Sequence, residues 1–105
     1  IGPMNEMPPI TELYADFAKR LRAARLARDF PTGTAAAASL GVQENTYTTW
    51  ERGSKAPKYW HLALIKKRWG VSLDFLLTGD EAALPVALFQ RIQKEMNGAE
   101  HKQDR

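Results

Sequence analysis

Apolar residues return every three or four positions along this chain, and a glycine or proline soon closes each such run. That spacing is the helical period, and no stretch alternates with period two for long enough to form a strand. The expectation is an all-α chain of short helices. Leu13, Phe17, Leu21 and Ala24 mark one face of a first helix, with Thr11 as its N-cap. Phe30-Pro31 ends it, because the residue before proline is pushed out of the helical region. A second helix runs from about Thr32 to Leu40, with Gly41 where a left-handed terminal residue is wanted. Its alanine run favours the helix and lets a neighbouring backbone approach. Val42, Tyr47 and Trp50 share the inner face of a third helix ending at Gly53, and Lys55-Ala56-Pro57 is a loop. Tyr59, Leu62, Ile65 and Trp69 form the inner stripe of a fourth helix closed by Gly70. Ser72 caps a fifth, with Val71 and Leu76 at hydrophobic-staple spacing and Asp74 placed against the helix dipole. After the break at Thr78-Gly79-Asp80, Pro85 opens a sixth helix to Asn97, followed by a fraying polar tail.

At 105 residues one domain with a modest core is expected. The absence of cysteine removes disulfides, thiolate metal sites and thiol nucleophiles. No apolar run reaches membrane length and no secretory signal opens the chain, so a cytoplasmic protein is expected. Ile1-Gly2-Pro3 reads as a cloning scar. The division is a flexible segment over 1–10, the main domain over 11–79, a C-terminal helix over 80–97 and a flexible tail over 98–105. His61 and His101 read as surface residues without a metal-ligand set. No paired carboxylates, nucleophile–base set or phosphate-cradling loop is evident, so no catalytic residue, metal or cofactor is expected, and no enzyme.

Charge is unevenly distributed. Thr11 to Gly70 holds 11 Lys and Arg against 5 Asp and Glu, while the rest of the chain holds 4 against 7. Lys19, Arg20, Arg22, Arg25 and Arg28 fall in a run without acid, and Lys66, Lys67 and Arg68 form a second cluster. The pattern suits a polyanionic partner, or equally a solvated helix face.

The stretch from Ala36 to Pro57 carries the function. One short helix ends at Leu40-Gly41-Val42 and the next begins at once, which is a helix-turn-helix arrangement. Val42, Tyr47 and Trp50 turn inward, leaving Gln43, Glu44, Asn45, Thr48, Thr49 and Arg52 outward. Short amides and hydroxyls read base edges in a major groove, while flanking cations hold phosphates.

These residues resemble the phage-repressor/Cro-type (Xre) helix-turn-helix family. The resemblance runs through Leu21-Arg22, Arg25, Ala37, Leu40-Gly41-Val42, Thr46-Tyr47, Trp50-Glu51-Arg52-Gly53, Pro57, Gly70-Val71-Ser72-Leu73 and Leu76-Leu77, covering roughly residues 15–79. It implies a five-helix repressor-like DNA-binding domain, here with one extra C-terminal helix, acting as a dimer on a near-palindromic operator. It further implies a partly buried ion pair between Arg25 and Glu51. Three departures stand out: Gly33 where the family commonly has a DNA-contacting glutamine, an extra residue at Pro31-Thr32, and Lys66 at a small apolar position.

Asn45 is the leading base reader, able to pair bidentately with adenine, against a plain first-turn polar role. Gln43 reads first as an N-cap and second as a DNA contact. Glu44 accepts from cytosine N4, rejects wrong sequences, or only stabilises the helix N-terminus. Thr49 suits a thymine methyl or a phosphate, and Thr48 the groove wall. Thr32, Gly33, Thr34, Arg52, Lys55 and Lys58 are expected at phosphates. Tyr47, Trp50 and Trp69 read as core. Trp60 falls on the outer side of its helix, as a partner surface or a local cap. Leu88, Phe89, Ile92 and Met96 form a stripe on the last helix, which either folds back on its own domain or, the preferred reading, makes a homodimer interface. The function expected is a bacterial or phage transcriptional regulator, a repressor, binding double-stranded DNA. The rival is an antitoxin or anti-regulator whose C-terminal stripe docks a protein. A third reading makes the helix-turn-helix purely structural.

Overall fold

The computed structural model describes residues 9–103, with side chains through residue 98. Six helices and no strand occur among the described residues: α1 Ile10–Ala27, α2 Gly33–Leu40, α3 Glu44–Glu51, α4 Tyr59–Trp69, α5 Leu73–Thr78 and α6 Val86–Gln103. Ile1-Gly2-Pro3, the end of the polar tail and the His101 side chain lie outside the description. The first helix begins without a threonine cap. Pro9 is the N-cap, with φ −57° and ψ 138°, and its carbonyl accepts from the amides of Glu12 and Leu13. The proline ring presets that backbone angle, so Thr11 is already helical and Ile10 is not part of a loose leader.

The core is built around α1, which packs against α3, α5 and α6. Phe17, Leu21 and Ala24 are buried as their spacing predicts, but Leu13 is exposed. Gly53, at the end of the turn after α3, comes up against the backbone of Tyr14 and Ala15, just after Leu13. Ala18, Ala23 and Ala27 are also buried, so α1 is covered on more than the face its large residues mark. Tyr59 is likewise 76% exposed instead of lying on the inner stripe of α4. That stripe starts at Leu62, and the neighbouring ring of His61 packs on Trp50 at 5.0 Å between centroids. His61 is therefore half-buried and not a surface residue.

Helix ends are closed by a repeated device. Gly41, Gly70 and Gly79 take left-handed conformations (φ 72°, 73° and 84°) at the ends of α2, α4 and α5. An arginine from elsewhere in the chain lies over each, and donates to a carbonyl of that helix's last turn. Arg68 reaches Ser39 O at 2.9 Å, Arg28 reaches Trp69 O at 2.6 Å and Arg20 reaches Leu76 O at 3.4 Å. Last-turn carbonyls lack helical partners and carry the negative end of the dipole, so a guanidinium satisfies both needs. The space is close: a Cβ on Gly70 would sit 3.0 Å from the Arg28 guanidinium. Ser72 caps α5 by accepting from Phe75 N at 3.2 Å, and both staple residues Val71 and Leu76 are fully buried.

The C-terminal helix folds back. α6 runs along α1, with Leu88 3% and Ile92 1% exposed, and Phe89 and Met96 half-buried against the same core. This corrects the assignment of Leu88 and Ile92 to a dimer interface: both side chains are enclosed by their own chain. Ala23 and Ala27 of α1 are buried in the same core cluster as Leu88 and Ile92 of α6. Arg91 of α6 also pairs with Asp29 at 2.6 Å. The helix continues through Gln103, so residues 98–103 are helical and not a loose tail. No helix among the described residues is long and apolar enough to cross a membrane.

Candidate nucleic-acid interface

α2 and α3 are joined by three residues, Gly41-Val42-Gln43, and pack on each other. The turn holds because Gly41 adopts a left-handed conformation and the Val42 amide returns to Ala37 O at 3.0 Å. Val42 is half-buried against the core, anchoring the middle of the turn. α3 then starts with its inner side fixed by Tyr47 and Trp50, both buried and packed edge to face at 5.7 Å.

The inner side ends in a polar lock. Arg25 Nε donates to Glu51 Oε2 at 2.8 Å and Nη2 to Oε1 at 3.3 Å, while Nη1 donates to Phe30 O at 2.9 Å. The Tyr47 hydroxyl donates to the same Glu51 carboxylate. Burial, then the Glu51 carboxylate, push the Tyr47 phenol far above its ordinary range, so it stays a donor. The ion pair expected from the resemblance is thus present, with Tyr47 as a third member. Side-chain exposures of 8% and 15% place Arg25 and Glu51 inside the fold, away from any partner. Among the described residues no buried side-chain nitrogen or oxygen lacks a partner.

The outer side is different. Gln43, Glu44 and Asn45 are exposed at the first turn of α3. Gln43 occupies the N-cap position, but its side chain makes no capping bond and is free to reach outward. Glu44 is tethered: the Thr34 hydroxyl donates to its Oε1 at 2.8 Å, bridging the first turns of α2 and α3. Thr48 and Thr49 are half-buried, and their hydroxyl protons go to Glu44 O at 2.8 Å and Thr46 O at 2.7 Å. They keep a methyl and an acceptor oxygen for a groove, not a donor.

The expected phosphate positions divide similarly. The Thr32 side chain caps α2 by accepting from Ala35 N at 3.1 Å, which leaves its hydroxyl proton to donate, whereas the Thr34 hydroxyl proton is given to Glu44. Beside that Thr32 proton, this helix end offers the Gly33 and Thr34 amides, which have no partner within a helix. Gly33 is not forced by space, since a Cβ there would meet the Tyr47 ring at an ordinary 3.7 Å. Arg52, Lys55 and Lys58 are exposed past the end of α3. The Lys58 ammonium lies 5.1 Å above the Trp60 ring, which is 51% exposed.

Between α3 and the start of α4 lies a cleft of about 290 Å³ lined by Asn45, Thr46, Thr49, Trp50, Lys55, Ala56, Lys58 and His61. Two of its lining rings, His61 and Trp50, pack tilted at 51° to each other, and Trp60 lies beside His61 at 5.7 Å with the same tilt. His61 Nδ1 accepts from the Lys58 amide at 3.3 Å, which fixes the start of α4 beside the cleft. Thr46 and His61 were not singled out as site residues by sequence reasoning. The readable signal was the three-residue offset from Lys58 to His61, the spacing at which a side chain returns to an N-cap amide. Of the first basic cluster, Lys19 and Arg22 stay exposed, while Arg20, Arg25 and Arg28 are engaged with carbonyls or Glu51. No group of His, Asp or Glu suited to a metal ion occurs among the described residues. Searches against protein-family models, curated proteins and solved structures found no match to this chain.

Proposed function

We propose that this protein is a sequence-specific, double-stranded-DNA-binding transcriptional regulator, a cytoplasmic repressor, that lays the first turns of α3 into a major groove. The observation that carries this reading is the division of α3 into a locked inner side and an exposed outer edge. Gln43 and Asn45 extend from that edge as untethered amides, with the α2 amide end on one side and Arg52, Lys55 and Lys58 on the other. Amides pair with base edges, and helix-end amides and cations hold phosphates. A helix fixed by Tyr47, Trp50 and the Arg25–Glu51 pair presents those amides in one orientation, as readout requires. Action as a homodimer on two half-sites belongs to the same proposal, because avidity offsets the small reading surface of one copy. The dimer contact then lies elsewhere than Leu88 and Ile92. The rival reading, a protein docked on the α6 stripe, would have only the half-buried Phe89 and Met96 of that stripe to use.

The test is retention of randomly fragmented genomic DNA by the purified protein at about 150 mM salt, near physiological strength, followed by sequencing. Sharp sites with mirrored half-sites about one duplex turn apart, roughly 34 Å, are the expected result. Diffuse retention that vanishes with moderate salt overturns sequence-specific reading.

A further inference from the structure

Glu44 is the one acid on an edge otherwise suited to DNA, and a carboxylate there repels phosphates. The Thr34 hydroxyl holds Oε1 at 2.8 Å, and the Thr48 hydroxyl binds the Glu44 carbonyl at 2.8 Å, so both ends of the residue are tied. The N-terminal dipole of α3 favours a negative charge at this position. Thr34 was expected at a phosphate, but its hydroxyl proton is already given to Glu44, which makes it a positioning residue.

We propose that the Thr34–Glu44 pair selects cytosine at one position of each half-site. This rests on the reading of α3 as a DNA-reading helix. A carboxylate can only accept, and in the major groove only cytosine N4 and adenine N6 donate. Adenine presents its N7 acceptor beside N6, which opposes a carboxylate, whereas cytosine presents no acceptor of its own there. The Thr34 bond takes one lone pair of Oε1 and fixes the carboxylate, whose remaining lone pairs, those of Oε2 foremost, can accept from the cytosine amino group. Guanine and thymine offer acceptors toward the carboxylate and are rejected, so the same group supplies both attraction and exclusion.

The experiment is selection from a pool of randomised duplexes by the full chain, followed by binding titrations on the selected duplex. The wild-type protein is expected to select a cytosine whose replacement weakens binding about ten- to a hundredfold. Glu44→Gln is expected to move the preference at that position to adenine, because an amide pairs with N6 and N7 together. Thr34→Val is expected to shrink the cytosine preference severalfold with other positions unchanged, and Thr34→Ser to restore it. Superimposable melting curves check that these exposed substitutions leave the fold intact. Sharp sites that Glu44→Gln selects unchanged overturn the cytosine assignment alone, and an unchanged preference in Thr34→Val overturns the positioning role. Selection of no sequence by the wild-type protein overturns the DNA reading itself, and this inference with it.

Discussion

Two sides of the same eight-residue helix use similar residues for opposite ends. On the inner side of α3, Glu51 is enclosed by Arg25 and Tyr47 and joins the third helix to the first. On the outer edge Glu44, also an acid, meets only the Thr34 hydroxyl and solvent. Residue type does not separate the scaffold from the outer surface; enclosure and the charge of the partner do. A buried carboxylate needs a cation and donors to offset its desolvation, so it binds its own chain. An exposed one is free to meet a ligand.

The comparison is broken most severely at the inner side. Glu51→Ala leaves Arg25 enclosed without its partner and is expected to lower unfolding free energy by about 3–5 kcal/mol, measured by urea denaturation. A change below about 1 kcal/mol, within the range of exposed ion pairs, would place the pair in solvent. Next in size is α6. Ile92→Ala is expected to cost about 2–4 kcal/mol, since it removes a buried side chain from the α1–α6 contact. A variant of unchanged stability that only alters mass in sedimentation would return the stripe to an intermolecular role.

The outer edge should respond in the other direction. Asn45→Ala is expected to weaken binding to a selected duplex by about 1–3 kcal/mol, with stability moving by less than about 0.5 kcal/mol. An unchanged preference for the selected over a scrambled duplex in Asn45→Ala would remove Asn45 from the proposed readers. The smallest effect is expected at Lys55→Ala, a nearly uniform loss across sequences with a salt slope shallower by about one. A sequence-dependent loss there would move Lys55 from the phosphates to the bases.

The helices themselves were legible because their signals are local. Ser72 with Val71 and Leu76, and Gly41, Gly70 and Gly79, act within a few residues and depend little on distant partners. The outward set Gln43, Glu44 and Asn45 followed from the same periodicity, since Val42, Tyr47 and Trp50 fix which side of α3 turns in. The misses occur at helix ends and on faces made of small residues. Leu13 and Tyr59 continue an apolar stripe in sequence, yet each sits in the first turn of its helix and is exposed. Ala23 and Ala27 gave no hydrophobic signal, although they form part of a second buried face of α1.

The sequence alone therefore determined the number and kind of helices, the short turn between α2 and α3, and which side of α3 faces out. These follow from torsional preference and periodicity, which act over one or two turns. Only the tertiary structure decided that α6 closes on α1, that Arg20, Arg28 and Arg68 serve as caps to distant helices, and that Thr34 holds Glu44. Those outcomes depend on which carbonyls, hydroxyls and apolar faces meet in space. A long side chain carries the same charge in sequence whether it ends in water or on the carbonyl of another helix.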